Sequence, residues 1–152
     1  MSISARTTCL AVSLLAIGAC LGSRVAQAQS TTCTASATGV AFGAYDPFSS
    51  VPLESTGSVS VTCSASTSYT IALSAGQGSF SNRTMSSGAH LLDYNLYTSS
   101  LRSTVWGDGS GATSTVAGSG TSQSYSVYGS VQALQNAYVG SYTDSVVVTV
   151  SF

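Results

Sequence analysis

The sequence predicts an all-β domain, an antiparallel β-sandwich of six or seven short strands, and three observations carry that prediction. Apolar residues recur at every second position in run after run, with no helical three-to-four spacing. Clusters of Gly, Ser, Asn and Asp punctuate those runs at turn-like intervals. The composition is 43% hydrophobic with eight tyrosines and only 6% charged residues. Low charge with abundant Ser and Thr would also suit a disordered tail, but that apolar and aromatic content favours a packed β-fold.

The first 28 residues stand apart from the domain. Arg6 gives a thin positive start, residues 9–21 (CLAVSLLAIGACL) form a short apolar run, and Ala26-Gln27-Ala28 offers a small-residue cleavage site. This is the layout of a secretory signal peptide over residues 1–28, followed by one domain over residues 29–152. The apolar run is too short to span a bilayer comfortably, and no later segment is apolar enough for a membrane span. An alternative treats Ile17-Gly18-Ala19-Cys20 as a lipobox, which would leave the domain lipid-anchored at Cys20.

Within the domain, the chain reads as extended from Cys33 through Val40 and Phe42 and breaks at Gly43 and Asp46-Pro47. Residues 58–63 alternate strictly, with Val59, Val61 and Cys63 on one face. Tyr69, Ile71 and Leu73 repeat the pattern, so the two runs read as successive antiparallel strands. Gly76-Gln77-Gly78 closes the second. Leu92, Tyr94 and Leu96 form the next set, and Thr104-Val105-Trp106 is a short extended piece stopped by Gly107-Asp108-Gly109. Residues 110–120, rich in Gly, Ser, Thr and Ala, read as a solvent loop, with a short strand in part of it as the alternative. Tyr125, Val127, Gly129 and Val131 alternate again, and Val146, Val148, Val150 and Phe152 line one face of a last strand.

Charge and cysteine content exclude several function classes. There is no lysine, and beyond the leader only Arg83 and Arg102 are basic. Such a chain cannot neutralise a row of phosphates, so no nucleic-acid partner is expected. Cys9 and Cys20 fall in the leader, leaving Cys33 and Cys63; an even pair in an exported chain reads as one disulfide. With no C-x-x-C pair and no histidine partner, these cysteines do not suggest a metal site.

No catalytic constellation emerges, and no cofactor is expected. His90, the only histidine, has no nucleophile motif to serve and no second ligand at metal spacing. The carboxylates are single and widely separated, which gives no pointer to a glycosidase pair. Gly107-Asp108-Gly109-Ser110-Gly111 lacks the following helix that a phosphate cradle needs, and reads as a tight turn. Trp106 and the tyrosines could build a sugar-stacking surface, although core and cross-strand packing is their commoner use. A structural or binding module remains, not an enzyme.

Several segments in order resemble the spore coat protein U domain family, which includes subunits of archaic chaperone–usher pili. They are residues 33–37 (CTASA), 42–47 (FGAYDP), 57–63 (GSVSVTC), 69–75 (YTIALSA), 83–85 (RTM), 92–97 (LDYNLY), 104–109 (TVWGDG), 127–129 (VYG) and 140–144 (GSYTD), then the terminal valine strand. The resemblance implies an incomplete immunoglobulin-like sandwich with a Cys33–Cys63 disulfide. It also implies a periplasmic chaperone, an outer-membrane usher and neighbouring pilus or coat subunits as partners, and export through the periplasm to the cell surface. In such pilins a partner inserts the missing strand, a form of β-augmentation. The expected acceptor is the edge carrying Val146, Val148, Val150 and Phe152. One departure concerns donation: only Gln29-Ser30-Thr31-Thr32 separate the expected cleavage site from Cys33, short of an ordinary strand. The chain is therefore expected to accept a strand more readily than to give one. The alternative is a tip-like adhesin that binds sugars or abiotic surfaces.

Overall fold

A computed structural model describes residues 30–152; the signal-peptide and lipobox readings lie outside the described residues. Nine strands follow in order: β1 (Cys33–Thr38), β2 (Leu53–Leu73), β3 (Gln77–Gly78), β4 (Arg83–Ser87), β5 (His90–Tyr97), β6 (Val105–Trp106), β7 (Thr113–Ser114), β8 (Val116–Val131) and β9 (Val148–Ser151). No helix interrupts them among the described residues.

All nine join one hydrogen-bonded sheet with the path β1-β2-β8-β5-β4-β3. Every pairing is antiparallel except β6 with β7. The sheet curls on itself, and a bridge between Ser86 and Thr143 ties β4 to the segment leading into β9. The alternating side chains meet inside the curl. Val59, Val61, Ile71, Leu73, Leu92, Tyr94, Leu96, Val127 and Val131 are buried there, together with Trp106. Period-two geometry sends the intervening Ser and Thr residues outward.

Three differences from the sequence expectation have clear causes. The runs 58–63 and 69–73 are one long strand, β2, with a register shift between Thr62 and Thr67. Residues 64–68 (SASTS) contain no Gly, Pro or Asn to turn the chain, so it bulges and carries on. Second, the expected loop over residues 110–120 contains β7 and the start of β8, which pairs with residues 67–71 of β2. Gly118 is not turn punctuation there: a side chain at that position would collide with Tyr69 and Tyr125, whose hydroxyls are hydrogen-bonded at 3.0 Å. Third, the last ladder ends at Ser151, and Phe152 is 61% exposed instead of joining the inward face.

Cys33 and Cys63 sit directly opposite in the β1–β2 ladder and are disulfide-bonded, with Cα atoms 4.0 Å apart. The bond closes a 30-residue separation, for which loop entropy predicts a stabilisation of about 3–4 kcal/mol. Peptide mapping after alkylation of protein purified without reductant should therefore find Cys33 and Cys63 unmodified until reductant is added. Urea unfolding of the doubly serine-substituted chain should reveal the loss. Alkylation of Cys33 and Cys63 themselves in native material would contradict the bond.

Candidate functional site

β1 and β9 both pair with the same edge of β2, but with different halves of it. β1 takes residues 58–63 and β9 takes residues 70–73. Neither strand has a second partner among the described residues. Where they diverge, a cleft of about 460 Å³ opens between the end of β1 and residues 142–148. Its floor is the core itself: Val59, Leu73, Met85, Leu96 and Val127. Val40 and Phe42 form one wall, Val146 and Val148 the other. The cleft runs on into a second opening of about 600 Å³, shared through Val40, Phe42, Met85 and Tyr142.

The local sequence explains why the walls stand where they do. Gly129 on β8 lets Val40 and Phe42 lie close over the sheet, where any side chain on residue 129 would strike both. The Phe42 ring meets Tyr94 edge-on at 5.9 Å between centroids. On the opposite wall, residues 142–150 alternate half-buried and exposed, so Tyr142, Asp144, Val146, Val148 and Val150 face inward. The sequence placed Val146, Val148 and Val150 on one face, and they pack against the core.

Three polar residues near the cleft carry weight that sequence reasoning did not assign. Asp144 accepts hydrogen bonds from the Tyr94 hydroxyl (2.6 Å), the Gln77 amide (3.0 Å) and the Ser145 amide (2.7 Å). Burial, then the bond to Asp144, holds the Tyr94 phenol well above its ordinary pKa. Arg83, fully buried, donates to the Ser74 carbonyl, Asn95 Oδ1 and the Trp106 carbonyl. Its pKa is lowered by burial, with Tyr94 and Asp144 opposing that shift. The only clue in the sequence was their presence as rare polar letters between apolar ones.

The remaining chemical candidates do not assemble. His90 opens β5 and stacks on Tyr138 at 4.1 Å between ring centroids. Among the described residues, no three His, Cys, Asp or Glu side chains cluster at metal-binding distance. Trp106 is wholly buried, and its indole donates to the Ile71 carbonyl, so it cannot stack on a sugar at the surface. Among the described residues, no helix is long and apolar enough to cross a membrane.

The family model for the spore coat protein U domain matches residues 21–149. The chain belongs to this family. A similar solved structure comes from the CsuC–CsuE chaperone–tip adhesion subunit pre-assembly complex of the archaic chaperone–usher Csu pili of Acinetobacter baumannii. The match has a TM-score of 0.57 and 25% identity, and covers 80% of this chain and 40% of that one. This spore coat protein U domain thus spans two fifths of the chain it matches. A search of curated proteins found no match.

Proposed function

We propose that this chain is a structural subunit of a chaperone–usher surface fibre or coat, with no enzymatic role, whose groove between β1 and β9 accepts an inserted strand. In this reading, residues 1–28 direct export and are removed. A periplasmic chaperone fills the groove first, and a neighbouring subunit replaces it at an outer-membrane usher. The observation that carries the reading is the groove: two strands, each paired on one side only, flank an opening to the hydrophobic core. Unpaired backbone groups beside exposed apolar side chains are an aggregation hazard unless a strand covers them. An inserted strand satisfies both needs at once, the backbone by ladder hydrogen bonds and the core by alternating side chains. Family membership and the similarity to a chaperone-bound pilus subunit complex support the same assignment.

The test is expression of the full chain with and without a chaperone of its fibre system. With the chaperone, periplasmic extracts should yield a soluble one-to-one complex by size-exclusion chromatography. Without it, the subunit should be degraded or self-associated. A stable, soluble monomer under both conditions overturns the proposal.

A second reading, a tip-like adhesin, draws on loops at the end of the fold where β2 starts and β8 finishes. Phe48, Leu101 and Val139 are 89%, 85% and 106% exposed. The Tyr45 hydroxyl, bonded to the Gln132 carbonyl and the Gln135 amide, joins two of these loops; the Arg102–Glu54 ion pair holds the third to β2. These aliphatic and aromatic tips, not Trp106, would meet a surface.

A further inference from the structure

Asp144 is the one charged side chain in the wall of an otherwise largely apolar groove. By period-two geometry it shares a face with Val146 and Val148, so a strand entering beside them must also pass it. A carboxylate offers about four acceptor positions. Oδ1 uses two, on the Gln77 and Ser145 amides, and Oδ2 uses one, on the Tyr94 hydroxyl. One remains, and among the described residues no cation answers the charge by direct contact. Arg102 pairs with Glu54, and Arg83 gives its hydrogen bonds to Ser74, Asn95 and Trp106. In the open groove, water can serve that last position. An arriving strand displaces the water, and a half-buried anion that loses a solvent partner is destabilised unless the strand replaces it.

We propose that the strand received by this groove carries a hydrogen-bond-donating side chain at the register facing Asp144, with apolar side chains at the registers facing Val146 and Val148. The inference rests on the strand-accepting reading and specifies the chemistry of the partner. Asp144 acts here as a specificity determinant. It rejects a uniformly aliphatic strand and fixes register, because a two-residue slip would place an apolar side chain against the carboxylate.

Threonine and valine have nearly the same shape, so exchanging them isolates the donor. The probes are nine-residue peptides with serine outward and valine at every inward position, and a second set with one inward valine replaced by threonine at each site in turn. The periplasmic protein is refolded with a labelled all-valine peptide, and the others compete for it in a fluorescence-anisotropy assay. One threonine position should compete roughly tenfold better than all-valine, as expected for a hydrogen bond to a charged acceptor. Asp144→Leu should erase that advantage. Asp144→Asn, whose amide oxygen still accepts, should keep a reduced one and serves if the leucine variant fails to fold. An all-valine peptide that competes as well as every threonine peptide overturns the inference and leaves the groove reading standing. An undiminished threonine advantage in either variant also overturns it. Failure of every peptide to bind, labelled all-valine included, overturns the strand-accepting reading beneath it.

Discussion

Val148→Asp should abolish the soluble chaperone-bound subunit and any assembled material, whereas Ser151→Asp, three residues away, should leave most of both. Val148 pairs with Leu73 in the β2–β9 ladder and forms part of the groove wall above the core. A carboxylate there has no basic partner, because both described arginines are engaged elsewhere. Its desolvation should cost about 2–5 kcal/mol, both in the folded subunit and again when a strand covers it. Ser151 lies on the opposite face of the same strand and is exposed, so an added charge there stays in water. The measurement is the yield of periplasmic complex after affinity capture of the chaperone, compared at equal expression. Equal yields from the two variants would mean that the inward face of β9 does not take part in binding.

The inward face was legible because alternation survives wherever the buried positions are apolar. Val59, Val61 and Cys63, then Tyr69, Ile71 and Leu73, then Leu92, Tyr94 and Leu96, are all buried as their spacing predicts. The pattern failed where buried positions are not apolar. β4 presents Arg83 and Met85 to the interior, so its inward positions do not repeat the apolar alternation that marks the other strands. It failed again where glycine serves close packing. Gly118 and Gly120 lie in β8, and their side-chain-free positions looked like turn signals. Continuity was a separate blind spot: alternation reports which face a residue occupies, but not whether two runs belong to one strand or two.

The groove was half legible. One wall, Val146 and Val148, followed from period two. The other follows from Val40 and Phe42 approaching across Gly129, a contact between segments almost 90 residues apart. Asp144 was visible only as part of a family-like segment. Its meaning depends on Tyr94 and Gln77, brought together by the curl of the sheet and not by any local spacing.

The largest purely structural effect is expected at Arg83. Its side chain is wholly inaccessible, yet no carboxylate contacts it among the described residues. The guanidinium is satisfied by neutral acceptors instead. The Ser74 carbonyl takes Nε at 3.2 Å and Nη2 at 2.9 Å, the Trp106 carbonyl takes Nη2 at 2.8 Å, and Asn95 Oδ1 takes Nη1 at 2.6 Å. Those acceptors lie on the connection after β2, on β6 and on β5, so one side chain on β4 fastens three other parts of the curled sheet. The Phe80 ring covers the guanidinium at 5.4 Å. Arg83→Met keeps much of the volume but takes the arginine donors from the Ser74 and Trp106 carbonyls, while Asn95 Oδ1 keeps only the Leu96 amide. That should cost about 2–5 kcal/mol, since each buried acceptor left unpaired costs about 1–3 kcal/mol. Arg83→Lys should recover only part of this, because a single ammonium cannot reach in three directions as a planar fork does. Arg102→Met provides the contrast: it loses an ion pair with half-exposed Glu54, worth no more than about 1 kcal/mol, and bonds to the Gly129 and Ser100 carbonyls, so its cost should stay below that of Arg83→Met. Urea unfolding of the three variants in parallel, each complexed with the same inserted strand, reads the difference as midpoint shifts. Arg83→Met as stable as Arg102→Met would show that the interior hydrates those carbonyls without the arginine, and that the curl is held by its apolar core alone.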